Sequence, residues 1–202
     1  MANDHYITNR ADALDDDGET EYFKITSVPL KKTNHVIKLL AAIEYDNLGY
    51  APLLELLENA SVEDSVTIQL AGPGGSVDTG IVLVNAIRDC KCGVDIVVVG
   101  RCFSMHALLA VSGSSLKMKP NTWLMFHNYS GGESGKGTEM FDATIATYKH
   151  IHEFFDDMAV PFLTPEEIGQ VKSDKDVYVR ASDKDLQKRI KRHYNAKQSG
   201  GQ

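Results

Sequence analysis

Five short runs rich in Val, Ile, Leu or aromatic residues, over 36–40, 66–70, 94–99, 123–126 and 177–179, read as strands. Side chains of these types suit a pleated, half-buried surface. Between them lie segments of helical character. Residues 52–59 open on Pro52, whose missing N–H is no loss in a first helical turn, and carry leucines on one face. A second helix is expected over 80–87, and a third, small and apolar enough to be buried all round, over 107–111. The longest signal is over 139–160, where Phe141, Ile145, Tyr148, His152, Phe155 and Ala159 recur at alternating steps of four and three and so share one face of a helix. Thr164, followed by Pro165, Glu166 and Glu167, reads as the N-cap and acidic first turn of another helix. Strands alternating with helices predict an α/β architecture.

The pattern lapses in three places. Residues 1–21 carry Asp12, Asp15, Asp16, Asp17, Glu19 and Glu21 with few apolar anchors, which predicts a solvated arm. Residues 130–137 hold too many glycines for a packed element and read as a flexible loop. Residues 187–192 form a basic helical stretch near the end. The expected organisation is therefore an acidic arm over 1–21, one domain over 22–180 and a basic tail over 181–202.

Composition narrows the function classes. A chain of 202 residues with 43% hydrophobic content can bury one substantial core. Its net charge of −7 counts against a nucleic-acid partner. No run of about 18 apolar residues predicts a membrane span, and the first residues lack the basic-then-apolar pattern of a signal peptide, so a cytoplasmic location is expected. Cys90, Cys92 and Cys102 are odd in number, and the C-x-C spacing has no second pair to complete a zinc site. They are expected as reduced core residues, and no metal is expected.

The candidate chemistry begins at Ser104, where the run over 94–99 gives way to the apolar helix. A strand that turns through a serine straight into a helix exposes the hydroxyl and aims backbone N–H groups beside it. Such a serine is a nucleophile only if a base takes its proton and a third group orients the base. His127, at the end of the 123–126 strand, is the candidate base, and Asp176, just before 177–179, the candidate orienting carboxylate. Upstream, Gly72-Pro73-Gly74-Gly75-Ser76-Val77 follows a strand, and its glycines let backbone come close to another group. Gly75 and Met105 are the candidate N–H donors for a tetrahedral oxyanion. Each feature has a plainer reading: Ser104 as a helix cap, His127 as a structural histidine, Asp176 as a turn residue in competition with Asp174, and Gly74 and Gly75 as a simple turn.

Taken together, Pro73-Gly74-Gly75-Ser76-Val77, Ser104-Met105, Met125-Phe126-His127 and Asp176, in this order and spacing, resemble the caseinolytic serine peptidase family, that of the Clp protease proteolytic subunit. The resemblance covers 36–178. It implies stacked ββα units of the superhelix shared with crotonases, with a protruding helical handle at about 130–165. It also implies a serine endopeptidase acting on unfolded proteins or peptides through a Ser104–His127–Asp176 triad and an acyl-enzyme, with Gly75 and Met105 as oxyanion hole and no cofactor. Gly74, Ser76 and Val77, with Ser130, Gly131 and Gly132 of the flexible loop, would bind substrate, the loop by letting an extended peptide add as a strand. The implied partners are further copies of the chain, in a heptameric ring or stacked double ring, and a separate ATP-driven unfoldase.

The chain departs from the family pattern in three ways. His106 stands where glycine usually follows Ser-Met, placing a titratable ring beside the nucleophile, where it either crowds the oxyanion hole or points away. Residues 180–186 lack the usual Gly-Leu ending, and the N-terminal region is unlike the family's axial-pore loops. Divergent phage-encoded members look similar, especially over 128–133, which would place the chain in a host cytoplasm and allow a role in prohead maturation. Two alternatives stand beside the peptidase: a catalytically silent scaffold of the same fold, and a crotonase-like enzyme of acyl-CoA thioesters.

Overall fold

Strict alternation marks the third strand of the sheet, β3 (Ser65–Gly72), in which every second residue is buried. The computed structural model describes residues 24–29, 32–45, 48–132 and 134–199, so the acidic arm expected over 1–21 lies outside the described residues. Strand β1 (Lys24–Pro29) pairs antiparallel with β2 (Thr33–Leu39), and β2, β3 and β4 (Val94–Phe103) run parallel. Strand β4 is long enough to serve two neighbours in succession. Residues 95–98 pair with β5 (Ser115–Met118), and residues 101–103 pair with β6 (Trp123–Phe126), both parallel. Strand β7 (Val177–Arg180) closes the far side antiparallel to β6. The result is the mixed α/β fold that the alternation predicts.

Helices α1 (Ala51–Asn59), α2 (Val77–Asp89) and α3 (Met105–Ser112) follow β2, β3 and β4 in turn. Pro52 lies in the first turn of α1, as its lost N–H allows. Helix α2 begins three residues before the predicted 80–87, because Ser76 caps it by accepting a hydrogen bond from the Thr79 N–H at 3.3 Å. Every residue of α3 is buried. A helix apolar on all sides must sit inside the core, and α3 touches β3, β4, β5, β6, α2 and α4.

Helix α4 (Gly137–Ala159) carries the long stripe, but its own domain covers only part of it. Phe155, Met158 and Ala159 are buried, whereas Phe141 is 66% exposed and Tyr148 46%. Helix α5 (Pro165–Lys172) starts at the predicted Thr164 cap, and α6 (Leu186–Ser199) follows β7. The basic stretch read as a tail thus holds a helix that returns to the core: Leu186 is buried, Ile190 and Tyr194 pack against the core, and the His193 ring hydrogen-bonds the Val111 carbonyl at 2.9 Å.

Candidate active site

Three neighbouring strands end at one place. Phe103, the last residue of β4, pairs with Met125 of β6, and the next N–H, that of Ser104, donates to the Met125 carbonyl at 2.8 Å. The ladder between β6 and β7 ends with Phe126 opposite Val177. His127 and Asp176 are the residues immediately beyond that last pair, one following β6 and the other preceding β7. Residues far apart in sequence are therefore mounted on three adjacent strand ends, the rigid placement a reactive constellation needs.

Strand β4 reaches this point through an irregularity. Leu70 pairs with Val98 but Gly72 with Cys102, so β4 carries extra residues over this interval and bends. At its end Ser104 adopts φ 55° and ψ −126°. A non-glycine residue there stores about 1–3 kcal/mol of backbone strain, and such strain clusters at functional sites. The Ser104 side chain makes no capping hydrogen bond to α3, so its hydroxyl is not spent on the plainer role of a helix cap.

The glycine loop lies against this serine. A Cβ on Gly74, whose φ is +108°, would stand 3.1 Å from Ser104 Oγ and 2.6 Å from Ser104 Cβ. A side chain at 74 would displace Ser104. The loop is held by Ile43, whose N–H donates to the Gly74 carbonyl at 2.8 Å and whose carbonyl accepts from Ser76 N–H at 2.7 Å. Among the described residues Gly75 N–H and Met105 N–H have no hydrogen-bond partner, and nor does the N–H of His106 beside them. Met105 opens α3, where N–H groups lack intrahelical acceptors.

Ser104, Met105, Gly75, Val77, His127 and Ser130 line one pocket. Its far wall is apolar, formed by Leu108, Phe126, Ile151, Phe154 and Phe155. The other predicted residues lie outside the lining. Ser76 caps α2, Gly74 backs Ser104, and Gly131 and Gly132 are exposed beyond the pocket. Asp176 accepts a hydrogen bond from the Tyr178 hydroxyl at 3.1 Å, which raises the pKa of that phenol. Among the described residues no hydrogen bond joins Ser104 to His127 or His127 to Asp176.

Sequence reasoning missed a polar network beside the pocket. Asn128 Nδ2 donates to Asp174 Oδ1 at 2.8 Å, and Asn128 Oδ1 accepts from Tyr129 N–H at 3.0 Å and from His152 Nε2 at 3.1 Å. Burial foremost, then Lys172, holds the His152 pKa down, against the pull of Asp156 and Asp174. These bonds tie the loop after β6 to α4 and to the α5–β7 turn. The signal available was the place of His152 on the α4 stripe, where a polar residue interrupts apolar ones.

Two neighbours of Ser104 are buried outside the pocket lining. The His106 ring is fully buried and does not line the pocket, so it points away from it. Its Nδ1 accepts a hydrogen bond from Gly74 N–H at 3.0 Å. Cys102 is buried, and burial pushes its thiol up to about 12, which makes it a poor nucleophile. Cys90 and Cys92 are free thiols, with Sγ atoms hydrogen-bonded at 3.5 Å. Among the described residues there is no cluster of three or more His, Cys, Asp or Glu able to hold a metal, and no helix long and apolar enough to cross a membrane.

Comparison with known protein families matches residues 21–184 to the Clp protease family. The chain belongs to that family. Among curated Clp proteins, the ATP-dependent Clp protease proteolytic subunit 3, chloroplastic, of Arabidopsis thaliana is 38% identical over 89 residues, 43% of this chain and 29% of the relative. The ATP-dependent Clp protease proteolytic subunits of Streptococcus pyogenes serotype M5 and of Streptococcus equi subsp. equi are each 33% identical over 117 residues, 56% of this chain and 59% of the relative. The chain thus spans about three fifths or less of the curated relatives it matches. Within the Clp match fall the glycine loop, Ser104, His127 and Asp176 together.

Proposed function

We propose that the chain is a serine endopeptidase that cleaves unfolded proteins or peptides through an acyl-enzyme. Ser104 Oγ attacks the scissile carbonyl as His127 takes its proton, and the N–H groups of Gly75 and Met105 hold the oxyanion. His127 then protonates the leaving amine, and water repeats the sequence to release the acid. Asp176 orients the imidazole through Oδ1, since the Tyr178 hydroxyl bonds only Oδ2. The observation that carries the reading is Ser104 itself, strained at φ 55° with its hydroxyl uncapped and the unpaired N–H groups of Gly75 and Met105 at the same corner.

The pocket wall suits an apolar substrate side chain, and the open segment over 128–132 suits an extended backbone added as a strand. The exposed half of α4 is the handle through which copies assemble into a ring, and a separate ATP-driven unfoldase delivers the substrate. A fluorophosphonate probe tests the chemistry: it should label the wild type and leave Ser104→Ala unlabelled, with native mass measured on both samples. Labelling that survives in Ser104→Ala, or a wild type that resists the probe, overturns the proposal. The bond from Tyr178 to Asp176 favours one second reading, a silent scaffold, which an unlabelled wild type of ring-like mass would support. A crotonase-like enzyme would keep acyl-CoA turnover in Ser104→Ala.

A further inference from the structure

Three consecutive residues face three different tasks at the start of α3. Ser104 presents the hydroxyl, Met105 offers an N–H, and His106 turns its ring inward under the glycine loop. The ring is 0% exposed, and its Nδ1 accepts from Gly74 N–H at 3.0 Å. Nε2 has no hydrogen-bond partner among the described residues. For packing alone an apolar side chain would be cheaper here, because a buried polar nitrogen without a partner is costly. The ring also needs room of its own: a Cβ on Gly72 would fall 2.4 Å from Nε2.

The hydrogen bond from Gly74 acts on the geometry of the loop. The peptide plane after Gly74 is fixed by the bond from Ile43 N–H to the Gly74 carbonyl at 2.8 Å. The plane before it is fixed by the bond from Gly74 N–H to His106. With both planes held, the dihedral angles of Gly74 cannot drift, although a glycine at φ +108° otherwise has wide freedom. The direction of the Gly75 N–H follows from that plane, since it points opposite the Gly74 carbonyl. A change of His106 would therefore loosen one oxyanion donor relative to the other, which belongs to the same helix as His106.

We propose that His106 is a positioning residue that locks the oxyanion loop to the helix bearing the nucleophile. Its kinetic test rests on the peptidase reading; its structural test does not. Three variants separate the roles of the ring. His106→Asn keeps an acceptor near the place of Nδ1, His106→Gln moves the acceptor out toward Nε2, and His106→Leu removes it while keeping an apolar filling. Hydrogen exchange at the Gly74 amide reads the lock directly, and peptide hydrolysis reads its consequence, with circular dichroism and native mass as folding controls.

The expected result is wild-type exchange at Gly74 in His106→Asn and exchange about tenfold faster in His106→Leu and His106→Gln, the worth of one hydrogen bond. In the same pair kcat should fall about tenfold to hundredfold, with KM changed little, as for a misplaced reacting geometry. Should the leucine variant fail to fold, the glutamine variant carries the comparison. Unchanged Gly74 exchange in His106→Gln and in any folded His106→Leu overturns the lock, as does a loss in His106→Asn as large as in His106→Gln. If the wild type neither hydrolyses peptides nor takes the probe, the peptidase reading fails and the exchange measurement alone decides the lock.

Discussion

Burial holds the His106 imidazole neutral, pushing its pKa down to about 4 against an opposing pull from the backbone at Ala41. The bond from Gly74 N–H also favours the neutral ring, since only an unprotonated Nδ1 can accept it. In the unfolded chain the ring titrates near about 6.5. Between these values the unfolded state binds a proton that the native state does not, so stability falls as pH drops from about 6.5 toward 4. A ring shifted this far contributes about 3 kcal/mol to that fall. Denaturant titrations at pH 7 and pH 4.5 should show the wild type losing about 2–3 kcal/mol more than His106→Asn, and equal losses would mean that the native ring protonates freely. The neighbouring glycine gives a second check. Gly72→Ala places a methyl 2.4 Å from Nε2 and should cost about 1–3 kcal/mol of stability, most of it relieved in the double variant with His106→Ala.

At the scale of elements, the turn after Leu163 joins two helices through one carboxylate. Thr164 Oγ1 accepts from Glu167 N–H at 3.3 Å, Glu167 Oε2 accepts from Thr164 N–H at 2.8 Å, and Arg189 of α6 grips the same carboxylate at 2.7 and 2.8 Å. Burial would raise the Glu167 pKa, but Arg189 and the Thr164 backbone outweigh it and hold the carboxyl below its usual range. Thr164→Ala should cost about 1 kcal/mol, read as a lower melting temperature. Arg189→Met should speed hydrogen exchange over 186–199, because α6 loses its anchor on α5. The Thr164 cap was legible because capping is written in adjacent residues. So was the corner at Ser104, where a β-branched run meets small apolar residues. The bend in β4 was not, since it depends on which residue of β3 lies opposite, and strand partners are not written locally. For the same reason the sequence put His106 beside Ser104 without showing that its ring folds under Gly74. It likewise read 187–192 as basic without showing that Leu186 and His193 reach the core.

Over the whole molecule, four of the twelve large exposed apolar side chains among the described residues lie on the first half of α4. Phe141 is 66% exposed, Ile145 40%, Tyr148 46% and Met140 37%, on a helix whose last turns are buried against the rest of the chain. Covering a half-exposed side chain of this size is worth roughly 1 kcal/mol. Four such residues from each of two copies then contribute roughly 8 kcal/mol, within the cost of association, so the stripe can join copies only as part of a larger contact. That makes assembly sensitive to charge at the stripe. Phe141→Glu combined with Ile145→Lys leaves an acid four residues ahead of a base, a spacing that supports the helix itself. The same pair would bring two charges into a dry contact, where desolvation opposes binding. Native mass should therefore fall in the double variant while the circular dichroism spectrum stays that of the wild type. Peptide hydrolysis should fall with it if assembly completes the site, whereas an unchanged mass would show that copies meet through another face.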